Sequence, residues 1–354
     1  MPGAATSRPE LELTSTSLAP GAIASAFVAD AIGDAADVSG FGTDVDATLE
    51  WCRAAAAGAP HVGQGRTNQV WELLAATAAR DVSAARMLEP HLDALSILAQ
   101  AGVESPAGST WGVFAAEAAG LRLEAREGTR GWTLHGTKPW CSLAANLTHA
   151  LVTASLESGE RGLFAVELRT DGVRPHPGPW VARGMPDVVS APVDFDDVPA
   201  VAVGPAGWYL SRPGFAWGGM SVAACWWGAA VGLAEPLRAA ATSERADQVA
   251  LVHLGRVDAA LWGARAVLAE AAALVDAAPG AGGDRLLAER VRAVVADAAG
   301  LTLTETDAAL GPTPLVADLA HARRAADLHL YLRQHHALRD SARIGRELAA
   351  RAGA

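Results

Sequence analysis

The spacing of apolar residues changes twice along the chain. From about 21 to 102 the sequence is Ala-rich and reads as helices separated by Gly and Pro. In "TNQVWELLAATAARDVSAARMLEPHLDALSILAQAG", Glu89-Pro90 predicts a break, because Pro is tolerated in a helix's first turn and not in its interior. Gly102 predicts the C-terminal stop. Between 110 and 203 the period shortens towards two in "LRLEAR", "WTLHG", "HALVTASL", "GLFAVEL" and "PVDFDDV", each bounded by Gly, Pro or Asp, which predicts a compact β domain. From 213 long helical patterns return. Leu254, Val257, Leu261, Ala264, Leu268, Ala271 and Val275 alternate in steps of three and four, the stripe of a helix facing a bundle core. "APGAGGD" ends that helix, and 219–243, 285–310 and 315–350 supply three more. The expected fold class is α+β: a helical N-terminal domain over 1–105, a central β-barrel or sandwich over 106–208, and a C-terminal four-helix bundle over 209–354.

Composition narrows the function. A formal charge of −11, with no dense Lys/Arg cluster, argues against nucleic acid as a partner. The most basic tract, "RQHHALRDSARIGRELAAR" at 333–351, has Asp and Glu interleaved and reads as a solvated helix face. The longest apolar run, "SVAACWWGAAVGLA" at 221–234, is shorter than the roughly 18 residues a membrane span needs, so it predicts a buried helix and no membrane partner. "MPGAATSRPELEL" lacks the basic start and apolar stretch of a secretory signal. Cys52, Cys141 and Cys225 form neither a disulfide framework nor a zinc spacing, and no metal site is expected. Cytoplasmic localisation follows as the expectation.

Candidate chemistry gathers at "LHGTKPWCSLA", 134–144, where a Trp stands beside a Cys and a Ser at the rim of a β segment. Such a Trp is either a core plug or one wall of a pocket for a flat aromatic ligand. Three strings bear on the choice. "GWTLHGTKPWCSLAANLTHALVTA", "WVARGMPDVVSAPVDFDDVPA" and "GAAVGLAEPLRAAATSERA" together resemble the acyl-CoA dehydrogenase superfamily over roughly 60–345. The resemblance implies an FAD cofactor. Trp140 would stack on the isoalloxazine, Ser142 would hydrogen-bond its polar edge, and Cys141 would contribute main-chain contacts. Ala115 and Ala116, in "WGVFAAE", would offer backbone amides to the pyrimidine, although the family's Ser and Asp are missing from that turn, which keeps only Glu117 and Gly120. Arg245 would reach the pyrophosphate across a subunit interface, and Gly311, in "ALGPTP", would receive the adenosine part. A homodimer or homotetramer is implied as well, and the all-round apolar character of 221–234 points the same way.

The dehydrogenase pattern fails at one position. Removing an α proton from an acyl thioester needs a carboxylate base, and the family's two sites for it fall here on Leu332 or Arg333 and near Val222. Asp327, His329, His335 and His336 are the titratable residues nearby, and Asp327 and His335 are the candidates for a replacement base. Three readings stay open: an FAD-dependent oxidoreductase acting on the CH–CH group of an acyl thioester, a flavin monooxygenase of the same fold, and a non-catalytic relative. A small-molecule substrate is expected, acyl-CoA among the options. Trp217, Trp226 and Trp227 would wall its pocket and exclude a long straight chain.

Overall fold

The computed structural model describes residues 15–18, 25–244, 246–278 and 285–352. Four helices come first: α1 (Ala26–Asp37), α2 (Val45–Ala57), α3 (Thr67–Arg80) and α4 (Val82–Ala101). Side-chain acceptors start several of them. Asp44 accepts the Ala47 amide and Asp81 accepts the Ala84 amide at 2.8 Å, each satisfying a donor that a helix start leaves free. Gly102 stops α4 in the left-handed region, as its position predicts. The break expected at Glu89-Pro90 does not occur, and α4 runs unbroken through Pro90. Burial outweighs the roughly 3 kcal/mol that an interior Pro costs, since Met87, Leu88, His91 and Leu92 around it are all buried.

The strands follow: β1 (Trp111–Phe114), β2 (Leu123–Gly128), β3 (Gly131–Ser142), β4 (His149–Ser155), β5 (Arg161–Glu167), β6 (Val173–Pro175) and β7 (Ser190–Ala202). They lie in the order β1-β4-β2-β3-β7-β5, and an additional β4–β5 pairing closes the ring into a barrel, with β1 outside β4 and β6 on β7. Alternating residues such as Leu134, Val152, Phe164, Val193, Phe195 and Val198 are buried, which explains the period of two in these segments.

The C-terminal part begins with a short α5 (Trp208–Ser211) and continues through α6 (Gly214–Ala241), α7 (Gln248–Ala277) and α8 (Arg285–Leu310). α6 is the central helix, packed against α3, α4, α7, α8 and a later helix of this same chain. Its all-round apolar surface is therefore covered within one subunit, and the sequence argument from it to oligomerisation falls. Gly228 and Gly232 let it approach α3 closely, because a β-carbon at either would overlap the carbonyl of Ala75 or Ala79. The stripe from Val257 to Val275 is buried on α7 as predicted. The fourth helix is not continuous. It divides into α9 (Thr313–Ala317), α10 (Leu319–Tyr331) and α11 (Leu338–Ala352), with a tight 3₁₀ turn over Leu332–Gln334. Asp340 settles the interruption by accepting the His336 amide at 3.1 Å and pairing with Arg343. No described helix is long and apolar enough to cross a membrane.

Candidate functional site

β3 and β7 pair Lys138 with Val193 and then Cys141 with Ala191, so β3 carries one extra residue between these pairs. This is a β-bulge at Pro139-Trp140. Pro139 has no N–H to give the ladder, and a bulge is where a strand accommodates that. Trp140 takes φ 59°, a left-handed conformation that costs a non-glycine residue about 1–2 kcal/mol. Its ring is turned outward and 58 % exposed, while Lys138 and Cys141 on either side are buried. Of the two readings the sequence leaves open for this Trp, the core plug is excluded.

The neighbours of Trp140 are held firmly. Lys138 Nζ donates to Thr153 at 2.8 Å and to Glu117 at 3.4 Å, and Arg161 also pairs with Glu117. These bonds tie the segment after β1 to β3 and so fix Ala115, half-buried, and Ala116, exposed, beside it. Burial lowers the Lys138 pKa, partly offset by Glu117. Cys141 Sγ points to the Lys138 carbonyl at 3.3 Å, and burial raises its thiol far above the ordinary range, so it is no nucleophile. Ser142 Oγ lies 2.7 Å from Ser190 Oγ and accepts from Arg86 Nη2 at 3.1 Å.

Arg86 connects the barrel to the bundle. It projects from α4 with its guanidinium 4.0 Å from Glu89 and 6.0 Å from the Tyr331 ring centre. Tyr331 is wholly buried; its hydroxyl has the Cys225 thiol beside it and no nitrogen or oxygen partner, and burial, with Cys225, raises its pKa well above the usual value. Trp226 packs edge-on against both Tyr331 and His335, and Arg292 stacks 4.6 Å from the Trp226 ring centre. Glu89 is buried and receives no hydrogen bond from any described residue. Burial pushes its pKa up to about 7, with Arg86 and Arg292 opposing and Asp93 adding to the rise. It faces a cavity of about 10 Å³, room for one water, shared with Asp93, Ser96, Arg212, Trp217 and Ser221.

Arg86 and Glu89 were not among the residues expected from sequence. Their signal is visible in retrospect: Arg86, Glu89 and Asp93 stand at i, i+3 and i+7, one charged stripe on an otherwise apolar helix. Pro90 adds to it, since a Pro there leaves the Arg86 carbonyl without its helical donor.

Other expected residues are placed differently. Asp327 is buried on α10 and fully engaged: it accepts the Met185 amide and the Ser83 hydroxyl at 3.1 Å and lies 3.6 Å from Arg323. Its pKa is raised by burial and held back by these contacts. It borders an open cleft of about 320 Å³ that also includes Arg80, Asp81, Arg323 and Arg324. His335 lies beyond the end of α10, not on it, with Nε2 3.5 Å from Asp340 Oδ2; burial lowers its pKa, and Asp340 opposes this. Gly311 closes α8 at φ 65°, a local stop that accounts for a glycine by itself. Arg245 lies outside the described residues, as does most of "APGAGGD". Trp217 lines the small cavity and Trp226 the Tyr331 cluster, whereas Trp227 turns away and donates to the Leu261 carbonyl of α7 at 3.1 Å. His135, Asp196 and Asp197 bring ligand atoms within 4.8 Å of one another, but both aspartates are exposed and paired with Arg126 or Arg174.

The arrangement presents an outward aromatic face at Trp140, main-chain groups at 115–116, and hydroxyl and guanidinium donors at Ser142 and Arg86. This fits a flat heteroaromatic ring with acceptor atoms along one edge, which an isoalloxazine is.

No protein-family model and no curated protein matches the sequence. Solved structures do match in three dimensions. KijD3, in complex with FMN and dTDP-3-amino-2,3,6-trideoxy-4-keto-3-methyl-D-glucose, aligns with a TM-score of 0.74 and 19% identity over 95% of this chain and 96% of that one. TdsC from Paenibacillus sp. A11-2, with FMN and indole, gives 0.72 and 16% over 94% and 95%. Butyryl-CoA dehydrogenase from Megasphaera elsdenii gives 0.74 and 16% over 93% and 99%. The chain therefore has the acyl-CoA dehydrogenase fold, as the sequence resemblance implies.

Proposed function

We propose that this chain is a flavin-dependent oxidoreductase that reacts its flavin with dioxygen, a monooxygenase in type, and that the ring lies at the junction of barrel and bundle. One observation carries the reading: the bulge that turns Trp140 outward at a conformational cost, with Ser142 and Arg86 as donors beside it. β3 has a second irregularity at Leu134/Gly136, but there the positive φ falls on a glycine; at Trp140 the strain is retained on an exposed aromatic residue, the pattern of a binding site. When bound, the flavin would supply electron transfer and the reduction of oxygen.

The chain's own residues supply the rest. Trp140 offers the face of the ring a flat contact, and the 115–116 amides, fixed by the Glu117–Lys138 pair, offer donors to its edge. Ser142 and Arg86 meet the polar edge, and Trp226, Tyr331 and Leu332 keep bulk water from the bundle side. The support reaches the isoalloxazine half of the cofactor. Of the residues expected at the ADP half of FAD, Gly311 is explained by helix capping, and two similar structures carry FMN. FMN is thus the form we favour over FAD.

Thioester dehydrogenation has less support. Leu332, buried and apolar, or Arg333, exposed and cationic, stands where the family's base would, and Asp327 already accepts two hydrogen bonds. The cavity beside Glu89, lined by Trp217, has a volume of about 10 Å³, too small for an acyl chain. Among the similar structures, TdsC is described as a dibenzothiophene monooxygenase, which agrees with oxygen chemistry on this fold. Self-association belongs to the same reading: Leu251 and Trp262 project, exposed, from the outer side of α7, a face that a second copy would cover.

The test has two stages. Protein incubated with FMN or FAD and then desalted should retain flavin absorbance, more with FMN. Reduced anaerobically and mixed with oxygen, it should reoxidise through a spectrally distinct oxygen adduct, whereas butyryl-CoA under anaerobic conditions should leave the oxidised flavin unbleached. Bleaching by the thioester would favour dehydrogenation instead.

A further inference from the structure

Among the described residues, one cation reaches the ring-facing segment of β3. Lys138 is turned inward to Glu117 and Thr153. Arg212 is bound to Gln100 at 2.9 Å and Asp93 at 3.5 Å. Arg292 is spent on the Gly219 and Gln334 carbonyls and on the face of Trp226. Arg86 alone places a guanidinium nitrogen on Ser142, at 3.1 Å, and that is its one hydrogen bond, so most of its N–H groups are unspent. Tyr331 lies under it, and Glu89, without a hydrogen bond of its own, lies 4.0 Å away on the next turn of α4.

We infer that Arg86 is the fixed positive charge that tunes the bound ring, with Glu89 as the adjustable counter-charge behind it. The inference rests on the flavin reading above and assigns this chain's own residues within it. A flavin gains negative charge when it is reduced or when a nucleophile adds to it. A cation at its polar edge stabilises that charge, most strongly where Trp226, Tyr331 and Leu332 exclude water. Glu89 modulates the effect. Neutral, it leaves Arg86 unopposed; ionised, it cancels part of the field. The other groups facing this pair are Asp93 on α4, Tyr209 on α5, Arg212 after it, Cys225 on α6, Arg292 on α8 and Tyr331 on α10. Of these, Arg292 and Asp93 also act on Glu89, with opposite signs, and neither touches Ser142.

Sulfite reads this charge directly. Its sulfur lone pair forms a bond to flavin N5, the ring takes up the negative charge, and nothing leaves, so affinity rises with positive potential at the ring. The experiment uses the flavin-loaded protein and measures sulfite Kd and midpoint potential for wild type, Arg86→Gln, Arg86→Lys and Glu89→Gln. It is run about one pH unit below and one above the Glu89 value of about 7. Arg86→Gln should weaken sulfite binding at least about tenfold and lower the potential by about 30 mV per tenfold of oxidation equilibrium. Arg86→Lys should recover much of the loss. Glu89→Gln should match wild type at the lower pH and bind sulfite severalfold more tightly than wild type at the higher pH, and this ratio cancels the titration of sulfite itself. Should Arg86→Gln fail to hold flavin, the Glu89→Gln ratio carries the test alone. A ratio that does not change with pH, or equal sulfite affinity in wild type and Arg86→Gln, overturns the inference while leaving the flavin reading standing. A wild-type protein that takes up no flavin overturns both.

Discussion

Asp327 and Glu89 are both buried carboxylates, and burial raises the pKa of each, yet their surroundings differ completely. Asp327 accepts from the Met185 amide and the Ser83 hydroxyl and has Arg323 beside it, so it ties α10 to the loop before β7 and to α4. Gly184 completes that junction, since a β-carbon there would overlap the Ala326 carbonyl. Glu89 has no donor and looks into a cavity the size of one water. A buried carboxylate with its acceptors filled holds structure together; one left unfilled can exchange a proton or meet a ligand. By this criterion Asp327, the candidate base near Tyr331, is a structural strut, and Glu89 on α4 is the carboxylate left open.

The strongest challenge to this contrast is Asp327→Ala. It leaves the Met185 amide and the Ser83 hydroxyl without their acceptor, while Arg323 keeps Asp81 and Asp187, and the expected loss is about 2–4 kcal/mol of unfolding free energy in urea titration. A loss below about 1 kcal/mol would remove Asp327 from its structural role.

Glu89 should show the opposite character. Its pKa is raised from 4.5 to about 7, so between these values the folded state holds a proton that the unfolded state has released. Stability therefore falls as pH rises from about 4.5 to 7 and then levels off, by up to roughly 3 kcal/mol. Glu89→Gln should lose that slope and be the more stable protein at about pH 8. Parallel stability–pH curves for the two proteins would mean that Glu89 is already satisfied.

Trp140→Asn removes the ring but suits the left-handed backbone, so unfolding free energy should change by no more than about 1 kcal/mol. Flavin affinity should fall by about tenfold or more, since an aromatic contact is lost. Stability and affinity falling together would make Trp140 a packing residue. The smallest effect is expected from Trp262→Glu on the outer side of α7. The isolated chain should keep its stability within about 0.5 kcal/mol, and sedimentation should show a smaller assembly than wild type.

The architecture was readable because periodicity is local. The stripe on α7, the period-two strands and the Gly102 stop each depend on residues a few positions apart. Pro90 misled because its cost is overruled by burial against distant elements. The interruption after Tyr331 was hidden for a similar reason: it is closed by Asp340, not by Gly or Pro. The Trp140 segment could be singled out through resemblance, but the bulge could not, since it depends on how β3 registers with β7 some fifty residues later. The two carboxylates could not be told apart at all. The donors that satisfy Asp327 are 142 and 244 positions away in sequence, and the lack of donors around Glu89 is a property of the packed interior.

The roles proposed for Trp140, Arg86 and Glu89 all require flavin at the bulged strand. The most direct measurement is equilibrium binding of FMN to wild type and Trp140→Asn, followed by the visible spectrum of the bound ring. A saturable complex with a perturbed spectrum in wild type, weakened in Trp140→Asn while the fold is retained, is the predicted result. Wild-type protein that stays colourless after incubation with both FMN and FAD would contradict it.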